Sequence, residues 1–175
     1  EPGELPALRA GHVTFGSLNN FCKVNDAVLA LWAGVLGRVA GSRLLLQCPE
    51  GTARERVRAF FAARGIGAER VELLAKMATR AEFLRLFERL DIALDPFPYN
   101  GGTTTCEALW MGVPVLTRPG EVIVSRIGLS ILTAAGLPEL VAPSESDYLR
   151  RAADLAGDLP RLAAALKPER DLQFD

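Results

Sequence analysis

The chain contains one histidine, His12, and three cysteines, Cys22, Cys48 and Cys106, none spaced as a Cys-x-x-Cys pair. A zinc site or a disulfide framework needs such clustering, so neither is expected. Unpaired thiols point to a reducing, cytoplasmic compartment. A self-contained Ser/His/Asp or Cys/His centre would have to use His12, which lies just before the first strand and is given no role. No apolar run reaches the roughly 20 residues that a membrane span requires. Glu1-Pro2-Gly3-Glu4 has neither the basic start nor the apolar core of a signal peptide. The net charge is -1, so no basic field recommends nucleic acid as a partner. Two nucleotide fingerprints are also missing. No Gly-Lys-Ser/Thr follows a glycine at Walker A spacing, and no Gly-x-Gly-x-x-Gly turn is present, which argues against an ATP or NAD domain. No internal repeat is visible.

What is there suits one globular domain: 175 residues, 49% of them hydrophobic. Arginines interleave with acids along helical stretches, as on solvated faces. Residues 1–12 read as a linker or the tail of a preceding region, and residues 13–175 as the domain. Val13 to Ser17 is the first strand. Asn25 or Asp26 caps a helix to about Arg38, with Val28, Trp32, Val35 and Val39 at helical spacing. Arg43 to Cys48 is an apolar run of the kind buried in a parallel sheet. A helix over about Ala53–Arg64 stops at Gly65, and Val71–Leu74 is a strand. Thr79 and Glu82 form a capping box for a helix carrying Phe83, Phe87 and Leu90. Strands at Ile92–Asp95, Val113–Thr117 and Leu140–Ala142 follow, with helices near Ala108–Met111, Ser125–Ala135, from Ser144 and from Asp158. Alternating strands and helices demand an α/β fold, a Rossmann-like parallel sheet with helices on both faces. The loops after Ser17, Gln47, Leu74 and Asp95 then share one edge, where ligands of such sheets sit.

The stretch Leu94-Asp95-Pro96-Phe97-Pro98-Tyr99-Asn100-Gly101-Gly102-Thr103-Thr104-Thr105-Cys106-Glu107 organises the rest. A buried strand stops at proline, the chain turns through residues without bulk, and a helix starts with free N–H groups. Such a helix start attracts phosphate, and glycines let backbone approach a ligand closely. A second reading stands beside it. Thr104-x-x-Glu107 also fits a capping box, with the glycines making only a turn. Lys23, in the loop after the first strand, reads either as a partner for a diphosphate or as a solvated lysine. Asp91 and Asp95 read as strand-end residues rather than metal ligands, since no cluster of hard ligands surrounds them.

Asn-Gly-Gly-Thr-Thr-Thr-Cys-Glu-Ala-Leu-Trp-Met-Gly-Val-Pro-Val, taken with Phe15 to Lys23 and Pro119-Gly120 to Ser125-Arg126, closely resembles the O-linked N-acetylglucosamine transferases and their bacterial TPR-containing relatives. The resemblance covers nearly the whole chain and fits the carboxyl-terminal half of that family's catalytic region. It implies the C-terminal half of a GT-B glycosyltransferase. The matching lysine there contacts the nucleotide phosphates, which assigns Lys23 to the leaving diphosphate. Asn20 matches a neighbouring glutamine facing the nucleotide. Gly101, Gly102, Thr103 and Thr104 match the phosphate loop, although animal enzymes carry histidine where this chain has Gly102. Glu107 matches an acidic residue that holds the ribose hydroxyls. Ala78 and Arg80 match positions near the uracil ring. Phe83 replaces a histidine that stacks on uridine, so it either stacks or packs in the core. Tyr99 and Asn100 line the sugar end.

The chemistry so implied is inverting transfer of N-acetylglucosamine from UDP-GlcNAc to Ser/Thr of proteins, with no cofactor and no metal, since no Asp-x-Asp motif is present. UDP-glucose is the alternative donor, and a non-catalytic scaffold or binding domain the alternative role. The family's amino-terminal catalytic half and TPR repeats are not in the sequence. The fragment alone is expected to be inactive, with a protein acceptor engaged by the full-length enzyme.

Overall fold

The computed structural model describes residues 5–158. Five strands, β1 (Thr14–Ser17), β2 (Arg43–Gln47), β3 (Val71–Leu74), β4 (Ile92–Leu94) and β5 (Val115–Leu116), form one sheet. Their order is β3-β2-β1-β4-β5 and every pairing is parallel. Seven α-helices are described: α1 (Pro6–Ala10), α2 (Asp26–Arg38), α3 (Thr52–Ala62), α4 (Arg80–Arg85), α5 (Thr103–Trp110), α6 (Ile127–Ala134) and α7 (Glu145–Gly157). The Rossmann-like α/β reading is thus the observed fold.

Strand side chains alternate between two apolar layers. Phe15, Leu44, Leu46, Ile92, Leu94 and Leu116 face Trp32 of α2, Phe61 of α3 and Tyr148 of α7. Leu45, Ala93 and Val115 face Phe87, Ala108 of α5 and Leu132 of α6. Burial on both faces explains why β2 reads as a continuous Leu run. Local chemistry starts several helices where the sequence places them. The Asn25 side chain accepts from the Val28 N–H, Ser144 accepts from Asp147, and Thr79 and Glu82 form the reciprocal box.

Some boundaries differ from expectation. The linker expected over residues 1–12 is helical in part: α1 packs Leu5 and Ala7 into the core. Its anchor is Asp91, far along the chain, which no local pattern reveals. Residues 140–142 form a turn and a single bridge, Thr117 to Val141, rather than a strand. β5 is two residues long. Pro114 has no N–H for a ladder, although its carbonyl still accepts from Ala93. The helix from Thr79 tightens into a 3-10 turn at Leu86–Arg89. The helix expected from Asp158 lies outside the described residues.

Asp91 ties the amino-terminal helix to the sheet. Its carboxylate is buried and accepts from the Ala7 N–H at 2.9 Å and the Thr14 N–H at 2.8 Å. Asp91→Ala orphans both donors and is expected to cost about 2 kcal/mol or more. Asp91→Asn is also expected to destabilise, because its NH2 group must oppose one of the two N–H donors. Urea midpoints of the three proteins check both; an Asp91→Asn midpoint equal to the parent contradicts the two-acceptor role.

Candidate functional site

The strand order reverses direction between β1 and β4, so the loops after these strands diverge and leave a crevice at the carboxyl edge. Lys23 reaches it from the β1 side. It is half-buried rather than solvated, donates from Nζ to the Asn100 carbonyl at 2.9 Å and lies 4.4 Å from the centroid of the Tyr99 ring. An ammonium has three N–H donors, so two are left over.

From the β4 side comes the glycine-threonine loop. Asp95, 2% exposed, accepts from the Gly101 N–H through Oδ1 and from the Thr117 hydroxyl through Oδ2, each at 2.6 Å. A Cβ at Gly101 would lie 2.7 Å from Thr105 Oγ1, 2.8 Å from Asn19 Oδ1 and 3.0 Å from Asp95 Oδ1. Only glycine fits there. Gly102 is different, since a Cβ on it would meet Ile127 alone, at 3.6 Å. The position therefore has room for a side chain.

Gly102 is the N-cap of α5, and no side chain caps the helix. The capping box expected from Thr104 and Glu107 is not formed. Glu107 instead pairs its Oε1 with Arg80 Nη2 at 2.9 Å. A long-range cation has taken the carboxylate that the local motif would have used. The first amide of α5 bonded to a backbone carbonyl is Cys106 N–H, to Gly102. The N–H groups of Thr103, Thr104 and Thr105 make no hydrogen bond among the described residues, and they carry the positive end of the helix dipole.

Beside this lies a cleft of about 420 Å³, lined by Leu18, Asn20, Gln47, Ala78, Arg80 and Phe83 among others. The structure thus brings Asn20, Ala78 and Arg80 onto one wall system, and the Arg80–Glu107 pair joins it to α5. Phe83 does both of the things expected of it as alternatives in part. It lines the cleft and packs edge-on to Phe87 at 5.6 Å. Tyr99 is exposed. Asn100, expected to line the sugar end, is fully buried. Its amide donates to the Pro96 carbonyl at 3.0 Å and the Arg118 carbonyl at 3.4 Å, so its side chain braces the loops. Sequence reasoning missed Gln47, which ends β2 at the cleft, and assigned Asp95 no part in the loop. Its place as the last residue of a strand, at the sheet's carboxyl edge, is the signal that could have found Gln47.

Residues 5–168 match the model of glycosyl transferase family 41. The chain belongs to this family. It is 41% identical over 170 residues to the probable UDP-N-acetylglucosamine–peptide N-acetylglucosaminyltransferase SPINDLY of Arabidopsis thaliana, covering 95% of this chain and 19% of that protein. It is 32% identical over 151 residues to the UDP-N-acetylglucosamine–peptide N-acetylglucosaminyltransferase of Caenorhabditis elegans, covering 86% of this chain and 13% of that protein. A mutant O-GlcNAc transferase of Thermobaculum terrenum superposes with a TM-score of 0.83 at 38% identity, covering 89% of this chain and 31% of that one. The chain therefore spans under a fifth of these two curated relatives, and its fold is the carboxyl-terminal half of a GT-B glycosyltransferase. As a family 41 domain it has no described helix long and apolar enough to cross a membrane.

Two outcomes follow from the loop's anchoring. Gly101→Ala is expected to lower the melting temperature by several degrees and displace the loop, whereas Gly102→Ala is expected to change stability by less than about 1 kcal/mol. Equal effects in thermal melts contradict the geometry. Burial pushes the Asp95 carboxyl from its ordinary 3.8 up to about 7, against the opposing help of Thr117, Gly101 and Lys23. A raised folded value means the folded chain holds this proton more tightly than the unfolded one. Its stabilising contribution is then fully present below about pH 4 and is lost as pH rises through about 7. Asp95→Asn is expected to remove that part of the slope; superimposable stability-against-pH curves for parent and variant between pH 4.5 and 8 contradict it.

Proposed function

We propose that this chain is the donor-binding half of an inverting protein O-glycosyltransferase that holds UDP-GlcNAc and supplies it for transfer to Ser/Thr of a protein acceptor. One observation carries the reading. The Lys23 ammonium and the unpaired amides at the start of α5 approach the same crevice, next to a cleft sized for a small heterocycle. A leaving UDP develops charge on its diphosphate, and preorganised donors aimed at that charge lower the barrier. Lys23 and the amides of Thr103 and Thr104 supply such donors without calling on a metal or another cofactor. Glu107 takes the ribose hydroxyls, with Arg80 holding its carboxylate in place. Asn20, Ala78 and Arg80 border the base, while Tyr99 and the Asn100–Gly101–Gly102 backbone border the sugar. The printed activities of the Arabidopsis and Caenorhabditis relatives support GlcNAc as the sugar, with UDP-glucose the close variant.

GT-B chemistry runs in a cleft between two halves. We therefore place the general base and the acceptor site in the amino-terminal half of a longer protein, with TPR repeats presenting the protein substrate. The chain alone binds donor but does not turn it over. The free thiols of Cys22, Cys48 and Cys106 support a cytoplasmic setting.

Titration calorimetry with UDP, with ADP and GDP as controls, tests this. Saturable UDP binding not reproduced by ADP or GDP is expected, weakened about tenfold or more in Lys23→Ala as a charge-assisted contact is lost. No UDP heat at millimolar ligand, for both this chain and the full-length protein, overturns it. A preference for GDP would keep the donor-binding role and reject the uridine.

A further inference from the structure

We propose that Tyr99 is a positioning residue for the Lys23 ammonium, its ring face holding the cation at the crevice in readiness for a diphosphate; this rests on the donor-binding reading above. Lys23 Nζ lies over the Tyr99 ring, 4.4 Å from its centroid. A cation within about 6 Å of a ring centroid is attracted by the negative face of the π system. Tyr99 is 48% exposed and belongs to neither apolar layer, so core packing does not explain an aromatic residue there. Its hydroxyl makes no hydrogen bond among the described residues. The ring face is what the side chain contributes.

Both partners arrive on braced backbone. Asn100, the next residue after the ring, donates its N–H to the Val124 carbonyl at 2.9 Å and its Nδ2 to the Pro96 carbonyl at 3.0 Å. Its carbonyl accepts from Lys23 Nζ at 2.9 Å. Gly101 is then held by Asp95. On the other side of the crevice, Lys23 closes the 3-10 turn Phe21–Lys23, which Asn20 caps by accepting from the Cys22 N–H at 3.2 Å. Between the two lies only the lysine's flexible four-carbon stem. Ordering such a stem costs rotamer entropy. The ring and the Asn100 carbonyl impose that order before a ligand arrives, which is how preorganisation strengthens binding.

A ring holds the cation without neutralising it. A carboxylate in the same seat would pair with the ammonium and compete with a diphosphate for it. A π face attracts through its quadrupole and brings no net charge of its own. Among the described residues no carboxylate forms an ion pair with Lys23. The Asn100 carbonyl takes one of its three N–H groups. Lys23 is thus fixed in place with its charge kept for a ligand. Tyr99→Phe keeps the face and drops the hydroxyl. Tyr99→Leu keeps apolar bulk and drops the face.

Two measurements on the full 175-residue chain test this. The first needs no ligand. Protons above an aromatic face are shielded by its ring current, and with only three lysines in the chain their carbon–proton NMR signals are easily separated. The ε-methylene signal of Lys23, identified by its loss in Lys23→Ala, is expected upfield of the ordinary lysine position. Tyr99→Phe is expected to keep that displacement and Tyr99→Leu to remove it. The second is calorimetry with UDP and inorganic pyrophosphate. Tyr99→Leu is expected to weaken both about two- to fivefold, Tyr99→Phe to bind both like the parent, and the Tyr99→Leu effect to vanish in the Lys23→Ala background. An ε-methylene at its ordinary position, or one unmoved by Tyr99→Leu, overturns the contact. The positioning role is overturned by a Tyr99→Phe that weakens both ligands as much as Tyr99→Leu, by a Tyr99→Leu that binds like the parent, or by one that weakens binding equally with and without Lys23. A displaced ε-methylene in a chain that binds neither ligand keeps the contact and overturns the donor site, and the positioning role with it.

Discussion

The buried carboxylate of Asp95 joins three parts of the chain that have no sequence proximity to one another. It sits just past the carboxyl end of β4 and accepts hydrogen bonds from the Gly101 amide and from the Thr117 hydroxyl beyond β5. Gly128 of α6 packs so close that a Cβ there would lie 2.6 Å from the same carboxylate. Burying a charge is expensive, and here the cost is visible in a carboxyl pushed up to about 7. What the fold gains is a loop whose first amide is spoken for, so that the next ones, at the start of α5, face the crevice. Without this clamp the two glycines would be a flexible turn.

The sheet order gives the clamp its meaning. Helices covering both faces leave only the strand edges open to a ligand. The reversal between β1 and β4 opens one of those edges. Lys23 and the glycine-threonine loop arrive there from opposite sides and touch through the Asn100 carbonyl. Asn100 is thus a brace: its backbone carbonyl positions the lysine and its side chain holds the neighbouring loops. A parallel sheet supplies this arrangement because every strand ends on the same edge.

The Arg80–Glu107 pair ties the wall of the cleft to α5. Arg80 is 71% exposed and Glu107 only 11%, so the pair adds little to stability. Its value is orientational. Glu107 reaches across to Arg80 instead of folding back onto its own helix.

How much of this was legible follows the range of the forces involved. Helix starts capped by a neighbour three residues away, at Asn25, Thr79 and Ser144, stood where spacing placed them, because the donor and acceptor are built into one turn of chain. The alternation of strands and helices, and the glycine-threonine loop with its two glycines, were also readable. They depend on burial pattern and on backbone that lacks a Cβ. The α1 helix, the fate of Glu107 and the burial of Asn100 were not readable. Each is decided by a partner at least 18 residues away, Asp91, Arg80 and Arg118 respectively. Sequence by itself determined most of the elements, the fold class and the family of this protein. Only the tertiary structure decided which polar groups were consumed in holding the loops together and which, like the first amides of α5, have no partner among the described residues. Hydrogen-bond capacity is local to each residue, but its satisfaction depends on what the fold brings within 3 Å or so.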